Sequence, residues 1–233
     1  MAPSGYLKQV ELLVEALPVV ARADGFALEG GTGINLFHRD MPRLSVDIDL
    51  IWLPIEERAE ALRNIDAALQ QIRVDLEAEL PGARVQVAQS EDEKRLVLQR
   101  GGAQIKIETA SVMRGVVHPV ELKRLVPRAE EQFGFVEMRM VSFPDLYGGK
   151  LVAALDRQHP RDLFDVRQLL AVEGIDDELF RTFLVYLASS SRPPHELLNP
   201  NLKDISGVFE SQFEGMSFVP VGLDELLAAR DTL

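Results

Sequence analysis

Apolar positions along the chain change period several times, and each change marks an element. Leu7, Val10, Leu13, Val14 and Leu17 recur at helical spacing, predicting an amphipathic helix over residues 5–17 that Pro18 ends or kinks. Phe26–Glu29 is a short apolar run stopped by Gly30-Gly31, the pattern of a strand entering a tight loop, with a short helix from Thr32 to about Phe37. Met41-Pro42-Arg43 breaks the chain again. Residues 46–53 read as a strand, alternating strictly from Val46 to Leu50. The longest helical pattern covers 55–79, with Ala59, Leu62, Ile65, Leu69, Ile72 and Leu76 on one face, and Pro81-Gly82 closes it. Strand-like runs follow at 84–89, 94–100 and 103–109, the last two joined by the hairpin signal Gly101-Gly102, and Phe135–Val141 is a further strand.

After Ser142 the period turns helical. Pro144 suits a first helical turn, and helices are predicted over 144–157, 161–172, 177–190 and 223–230. Between them, 192–220 is interrupted by Pro193, Pro194, Pro200, Gly207, Gly215 and Pro220 and reads as irregular. There is no internal repeat. The expectation is an α+β core with a mixed sheet over residues 1–141, followed by a helical domain over 142–233.

Composition narrows the chemistry. The 233 residues contain no Cys, which excludes a disulfide-stapled fold, a cysteine nucleophile and a thiolate metal site. The longest apolar runs fall far short of the roughly 20 residues that cross a bilayer, and no signal-peptide pattern opens the chain, so a cytoplasmic protein is expected. Lys and Arg number 25 against 37 Asp and Glu, a formal net charge of −12, and −7 of it falls in residues 173–233. Such a protein is not built to bind DNA or RNA indiscriminately. One local basic stretch, Arg114, Lys123, Arg124 and Arg128 against Glu121, is a candidate RNA contact or else an ordinary solvated surface.

The candidate chemistry centres on carboxylates. Asp47 and Asp49 sit two apart on a predicted strand, so both point to one face with Cα atoms about 6.7 Å apart, while Ile48 and Leu50 turn to the core. Stability asks for no such like-charged pair; a divalent cation, Mg²⁺ best of all, relieves it. The alternative is an edge strand with two solvated acids. Upstream, glycines at 30 and 31 before a helix start let backbone N–H groups approach a phosphate, and Thr32 can add a hydroxyl. Glu108 shares a face with Gln104 and Lys106, and joins the Asp pair if its strand neighbours theirs; Lys106 can instead simply neutralise it. Three acids behind a glycine turn describe a two-metal phosphoryl-transfer site. Ser45 lacks a histidine partner in sequence, and His38, His118, His159 and His195 lack zinc-ligand spacing. Trp52, Phe133 and Phe135 read as core or rim; Phe143 and Tyr147 serve packing or stack on a base.

The run Gly30-Gly31-Thr32, then Arg43-x-Ser45-x-Asp47-Ile48-Asp49-Leu50, resembles the nucleotidyltransferase fold shared with DNA polymerase beta. More narrowly it resembles the AbiEii/AbiGii toxin family of type IV toxin–antitoxin and abortive-infection systems. The resemblance extends to Lys150 through Arg157 and to Arg161-Asp162-x-x-Asp165, covering about residues 26–170. Gly33 stands where the family often has alanine, Glu108 fills the third acidic place, and the acidic tail after about residue 190 matches no known motif.

The resemblance implies a Mg²⁺-dependent nucleotidyltransferase using an NTP, with Asp47, Asp49 and Glu108 as metal ligands and Lys150 and Asp162 important for activity. Gly30, Gly31, Thr32, Arg43, Ser45, Arg157, Arg161 and Asp165 are then the nucleotide-binding candidates. Lys150 would reach a phosphate across a cleft between the halves. Lys150, Arg157, Asp162 and Asp165 otherwise form an ion-pair network joining helices. The implied acceptor is a tRNA end, with a protein hydroxyl as an alternative, and the implied partner is a cognate antitoxin. Rival readings are a nucleotide-binding regulatory module without turnover and a phosphotransferase moving the γ-phosphoryl group.

Overall fold

Alternation on the strand over 46–53 is resolved as the pattern requires, with Ile48 and Leu50 fully buried and Asp47 and Asp49 half-exposed. The computed structural model describes residues 4–89 and 93–233. It divides into two compact units, one ending at Val141 and the other spanning Ser142–Leu233.

The first unit runs α1 (Ser4–Val20), β1 (Phe26–Glu29), α2 (Gly30–Thr32) continuing directly into a π-helical turn (Gly33–His38), β2 (Asp47–Trp52), α3 (Arg58–Glu79), β3 (Arg84–Gln89), β4 (Glu93–Arg100), β5 (Ala103–Arg114), β6 (Glu121–Arg124), α4 (Pro127–Phe133) and β7 (Glu137–Met140). The strands form one seven-stranded mixed sheet in the order β3-β4-β5-β2-β1-β7-β6. Parallel pairing occurs at β2–β5 and β1–β7, and the other neighbours are antiparallel. Ile48, Ile107 and Leu96 are register partners across three strands and all fully buried. Helices α1 and α3 pack on this part of the sheet, α1 with Val10, Leu13, Val14 and Leu17 and α3 with Ala61, Ile65, Leu69, Ile72 and Leu76 buried.

The second unit contains α5 (Phe143–Arg157), α6 (Pro160–Val172), α7 (Asp177–Ala188), α8 (Pro194–Leu198), α9 (Ser206–Gln212) and α10 (Leu223–Thr232). The core pairing is α5 against α7, where Gly148 and Gly149 let the Tyr186 ring and Thr182 approach closely. Ser142 caps α5 by accepting the Asp145 N–H, and its hydroxyl donates to the Asp145 carboxylate (2.7 Å). Asp145 also accepts from the Tyr186 hydroxyl (3.0 Å), which ties α7 to the start of α5.

Several expectations are corrected. Pro18 does not end the first helix; it lies in the last turn, and the chain stays helical to Val20. Gly30-Gly31 open the helix instead of forming a loop before it. The buried stripe of α3 begins at Ala61, with Ala59 exposed and Leu62 half-buried, because the helix starts at Arg58 and its inward face is offset. Strand β5 runs on to Arg114, and the edge strand β6 and helix α4 occupy the stretch read only as basic. The segment 192–220 holds α8 and α9, one- and two-turn helices between its breaks.

Ile107 has partners on both sides in the middle of the sheet, so Ile107→Ala leaves a cavity that neighbours cannot fill. The expected loss is about 2–5 kcal/mol, read as a lowered urea midpoint with an unchanged slope.

Candidate active site

Register brings the predicted acids together. Asp49 on β2 is the direct partner of Glu108 on β5, and Asp47 of Lys106. Paired residues on neighbouring strands share a face, so Glu108 lies on the Asp47–Asp49 side of the sheet. Glu108 is also approached by two cations, Lys106 at 3.6 Å and Arg95 at 3.8 Å. On the other side of β2, Glu29 is the antiparallel partner of Asp49. Glu29, Asp49 and Glu108 thus form a cross-strand row of acids. Glu29 carries no local signal of this, because antiparallel β1–β2 register cannot be read from either segment alone.

The glycine turn is fitted to this row. Gly30 has φ +69°, the left-handed region that favours glycine. A Cβ there would lie 2.1 Å from Asp49 Oδ2, so the carboxylate fills the space a side chain would take. A Cβ on Gly31 would meet the Arg43 guanidinium at 2.9 Å and Ser45 Oγ at 3.1 Å. Arg43 is buried, donating from Nη1 to the Leu44 carbonyl (2.9 Å), so it backs the turn from within and is no surface residue. Thr32 is fully buried and donates its hydroxyl to the Asp47 carbonyl (2.5 Å), which fastens the helix start to β2. Asn35, a second residue not singled out in the sequence, donates from Nδ2 to the Gly31 carbonyl (2.9 Å). Its only signal is a polar residue inside the apolar run Ile34-Asn35-Leu36-Phe37. The Arg39 N–H bonds the Ile34 carbonyl (2.8 Å), closing the π-helical turn that places Asn35.

An all-oxygen pair on one strand face suits a hard dication, and Asp47 with Asp49 fit one as an open site. Among the described residues no three acidic or histidine side chains are gathered closely enough to cage an ion alone. Magnesium commonly takes one or two carboxylates and completes its shell with water and substrate phosphates.

The helical unit assembles the remaining candidates into one cluster. Lys150 Nζ lies 2.7 Å from Asp162 Oδ1 and 3.3 Å from Asp165 Oδ2, with all three side chains at most 5% exposed. Arg157, largely exposed, donates from Nε (2.5 Å) and Nη2 (3.0 Å) to Asp162. Burial by itself would raise the Asp162 pKa, but Lys150 and Arg157 together hold it well below the usual carboxylate range. Two cations and two carboxylates therefore join α5 to α6. Arg161 donates its backbone N–H to His159 Nδ1 in the cap of α6, and burial lowers the His159 pKa.

The aromatic candidates serve packing: Tyr147 is fully buried with its ring 4.8 Å from Phe143, and Trp52 meets Phe26 edge-on at 5.0 Å. In the basic stretch, Lys123 pairs with Glu121 (3.0 Å).

The mixed sheet, with its paired-aspartate strand beside Gly30-Gly31, agrees with the nucleotidyltransferase fold expected from the sequence. The model of the AbiEii family, nucleotidyl transferase toxins of type IV TA systems, matches residues 11–217, and the chain belongs to that family. No curated protein matches the chain. Among solved structures it is similar to MenT4, a nucleotidyltransferase toxin from Mycobacterium tuberculosis H37Rv, with a TM-score of 0.69, 15% sequence identity, and 96% of this chain and 81% of that one covered. At that identity the likeness speaks for the fold. No helix among the described residues is long and apolar enough to cross a membrane.

Two measurements probe these contacts. Gly30→Ala forces a methyl group into the Asp49 carboxylate at a positive φ, and is expected to cost about 1–3 kcal/mol, seen as a lower thermal midpoint. Lys150→Met leaves two buried carboxylates with the exposed Arg157 as the remaining cation, and a loss of about 3–5 kcal/mol is expected. Because the folded Asp162 pKa is depressed, its contribution is complete above the unfolded value near 4 and fades as pH falls below it. The Lys150→Met protein should therefore lose the acid-side part of that dependence as well as midpoint stability.

Proposed function

We propose that this protein transfers a nucleoside monophosphate from an NTP to an acceptor hydroxyl, and that the acceptor is a tRNA end. The acceptor oxygen attacks the α-phosphorus, the bond from that phosphorus to the bridging oxygen of pyrophosphate breaks, and the hydroxyl proton passes to an Asp47 or Asp49 oxygen. The observation that carries this reading is the seating of Asp47 and Asp49 on one face of β2, with the Asp49 carboxylate filling the space beside Gly30 and Glu108 in register with it. Mg²⁺ held by Asp47 and Asp49, with Glu108 as a further donor, would sharpen the acceptor hydroxyl and neutralise charge on the leaving pyrophosphate. Thr32 keeps β2 and the glycine turn in fixed relation and Asn35 holds the Gly31 carbonyl, so the Asp49 carboxylate stays against Gly30, where phosphates would rest. Arg43 backs that turn with positive charge, and Ser45 lies against the same glycine. Family membership supports toxicity as the outcome, since capping tRNA ends stops translation, and it supports a cognate antitoxin as partner. NTP and tRNA place such an activity in the cytoplasm.

The helical cluster contributes cohesion first. With Lys150 already held by Asp162 and Asp165, its proposed role toward phosphate requires it to exchange a carboxylate for the substrate.

The test supplies each NTP, labelled in the α or the γ position, with Mg²⁺ and either total tRNA or lysate. Label in RNA from the α position alone is the expected result; γ-label in the acceptor would show a phosphotransferase, and no transfer by folded protein would leave a nucleotide-binding module. Asp47→Asn and Asp49→Asn should each lower transfer by about a hundredfold or more. Mg²⁺ should raise the thermal midpoint of the parent and not of the double variant.

A further inference from the structure

The face that carries Asp47 and Asp49 continues across three more strands. Asp47 is in register with Lys106, which pairs with Val97 and onward with Gln86; Asp49 is in register with Glu108, which pairs with Arg95; Gln104 pairs with Gln99, and Gln99 with Arg84. Partners across each ladder share a face, so β3–β5 display Arg84, Gln86, Arg95, Gln99, Gln104 and Lys106 beside the Asp pair. Glu108 is the one acid among the described side chains of that face. The opposite face of the same strands holds the buried Ile105, Ile107, Leu96 and Leu98.

Charge is graded along this surface. Glu29, Asp47 and Asp49 lie at the β1–β2 end, and Lys106, Arg95 and Arg84 lead away from them over about 14 Å, three inter-strand spacings. In a chain of net charge −12 this is a local arrangement against the average. The Arg95 and Lys106 side chains are 41% and 42% exposed. The Lys106 approach to Glu108, at 3.6 Å, is longer than a hydrogen bond, so Lys106 can turn to a phosphate at little cost.

We propose that this face of β3–β5 is the docking surface for the acceptor RNA, its backbone phosphates on Lys106, Arg95 and Arg84 and its terminal hydroxyl at Asp47 and Asp49. The inference rests on reading the Asp pair as the transfer site. Arg, Lys and Gln side chains supply donors for phosphate and sugar oxygens, which fix position without reading sequence. Protein partners are anchored by aromatic and large apolar side chains, and among the described side chains paired across β3–β5 the largest apolar group on this face is Val97. The basic stretch at β6 is as far from β2 as β3 is, on the other side; Lys123, in register with Met138, faces away from the Asp pair, and the strands between put Glu29 and Glu137 on the Asp face.

The experiment titrates 5′-fluorescein-labelled total tRNA by anisotropy at several salt concentrations against the parent, Arg84→Gln/Arg95→Gln, and Lys123→Gln/Arg124→Gln, with NTP affinity measured in parallel and α-labelled NTP transfer by the parent as reference. The Arg84/Arg95 variant is expected to bind tRNA about tenfold more weakly, with a salt slope lower by about 1.4, roughly 0.7 for each single-strand phosphate that is no longer neutralised. Its NTP affinity should stay within about twofold, which also shows the fold intact, and the Lys123/Arg124 variant should match the parent. Transfer to tRNA by the parent, with affinity and slope unaltered in the Arg84/Arg95 variant, overturns the surface and spares the transfer reading; weakening confined to the Lys123/Arg124 variant overturns it equally and moves the RNA to the other edge. Transfer to a lysate protein, with no tRNA bound, overturns the RNA occupant. No transfer by the parent overturns the transfer reading and this acceptor assignment together.

Discussion

Two like-charged carboxylates are held side by side because the residue between them, and the one after, belong to the core. Ile48 and Leu50 are fully buried, and period-two geometry leaves Asp47 and Asp49 no other face. Sliding β2 by one residue would bury both acids and expose both apolar side chains, so hydrophobic register fixes the electrostatics of the site. The repulsion is small beside the loss of two buried aliphatic groups, each worth about 1.5–3 kcal/mol. The sheet can therefore impose a charge arrangement that isolated side chains would avoid.

Around that pair the chain removes freedom. Gly30 takes a conformation that a side chain would strain and leaves its Cβ space to Asp49. Thr32 ties the same turn to the Asp47 carbonyl, and Asn35 ties it to the helix. Burial of Arg43 behind Gly31 is costly in desolvation. The buried guanidinium puts a fixed positive charge directly behind Gly31. These contacts join the Gly30–Thr32 segment to β2 and to its own helix.

What the sequence disclosed and what it withheld divide by range. Asp47 and Asp49 sharing a face, the hairpin at Gly101-Gly102 and the order of strands then helices are all local patterns, and all were legible; Gly30-Gly31 was legible as the end of β1 and not as the opening of a helix. The pairing of Asp49 with Glu108 was legible only as a condition, because parallel β2–β5 register is settled by packing between segments some sixty residues apart. Glu29 beside Asp49 and Arg95 beside Glu108 are the same kind of fact, with no local trace. Strand β6 was hidden because Glu-Leu-Lys-Arg at a sheet edge has a single apolar residue, and its strand identity comes from pairing with β7. The short helices α8 and α9 were hidden by the prolines and glycines that bound them. Pro18 misled in the other direction: in a last turn it forfeits one hydrogen bond, which the buried Val19 and Val20 offset.

The two acidic motifs, a hundred residues apart, look alike in sequence and are physically opposite. On β2 the fold brings like charges together on a half-exposed face that solvent reaches. Between α5 and α6 it brings opposite charges together in the interior, where Asp162 and Asp165 are met by Lys150 and, for Asp162, by Arg157. Folding the unit strips both acids of water, and their cations offset that desolvation. A substrate phosphate approaching Lys150 competes with two carboxylates already in place. Spacing alone cannot separate these cases. Burial does: Asp162 and Asp165 lie in the interior, whereas Asp47 and Asp49 are half-exposed.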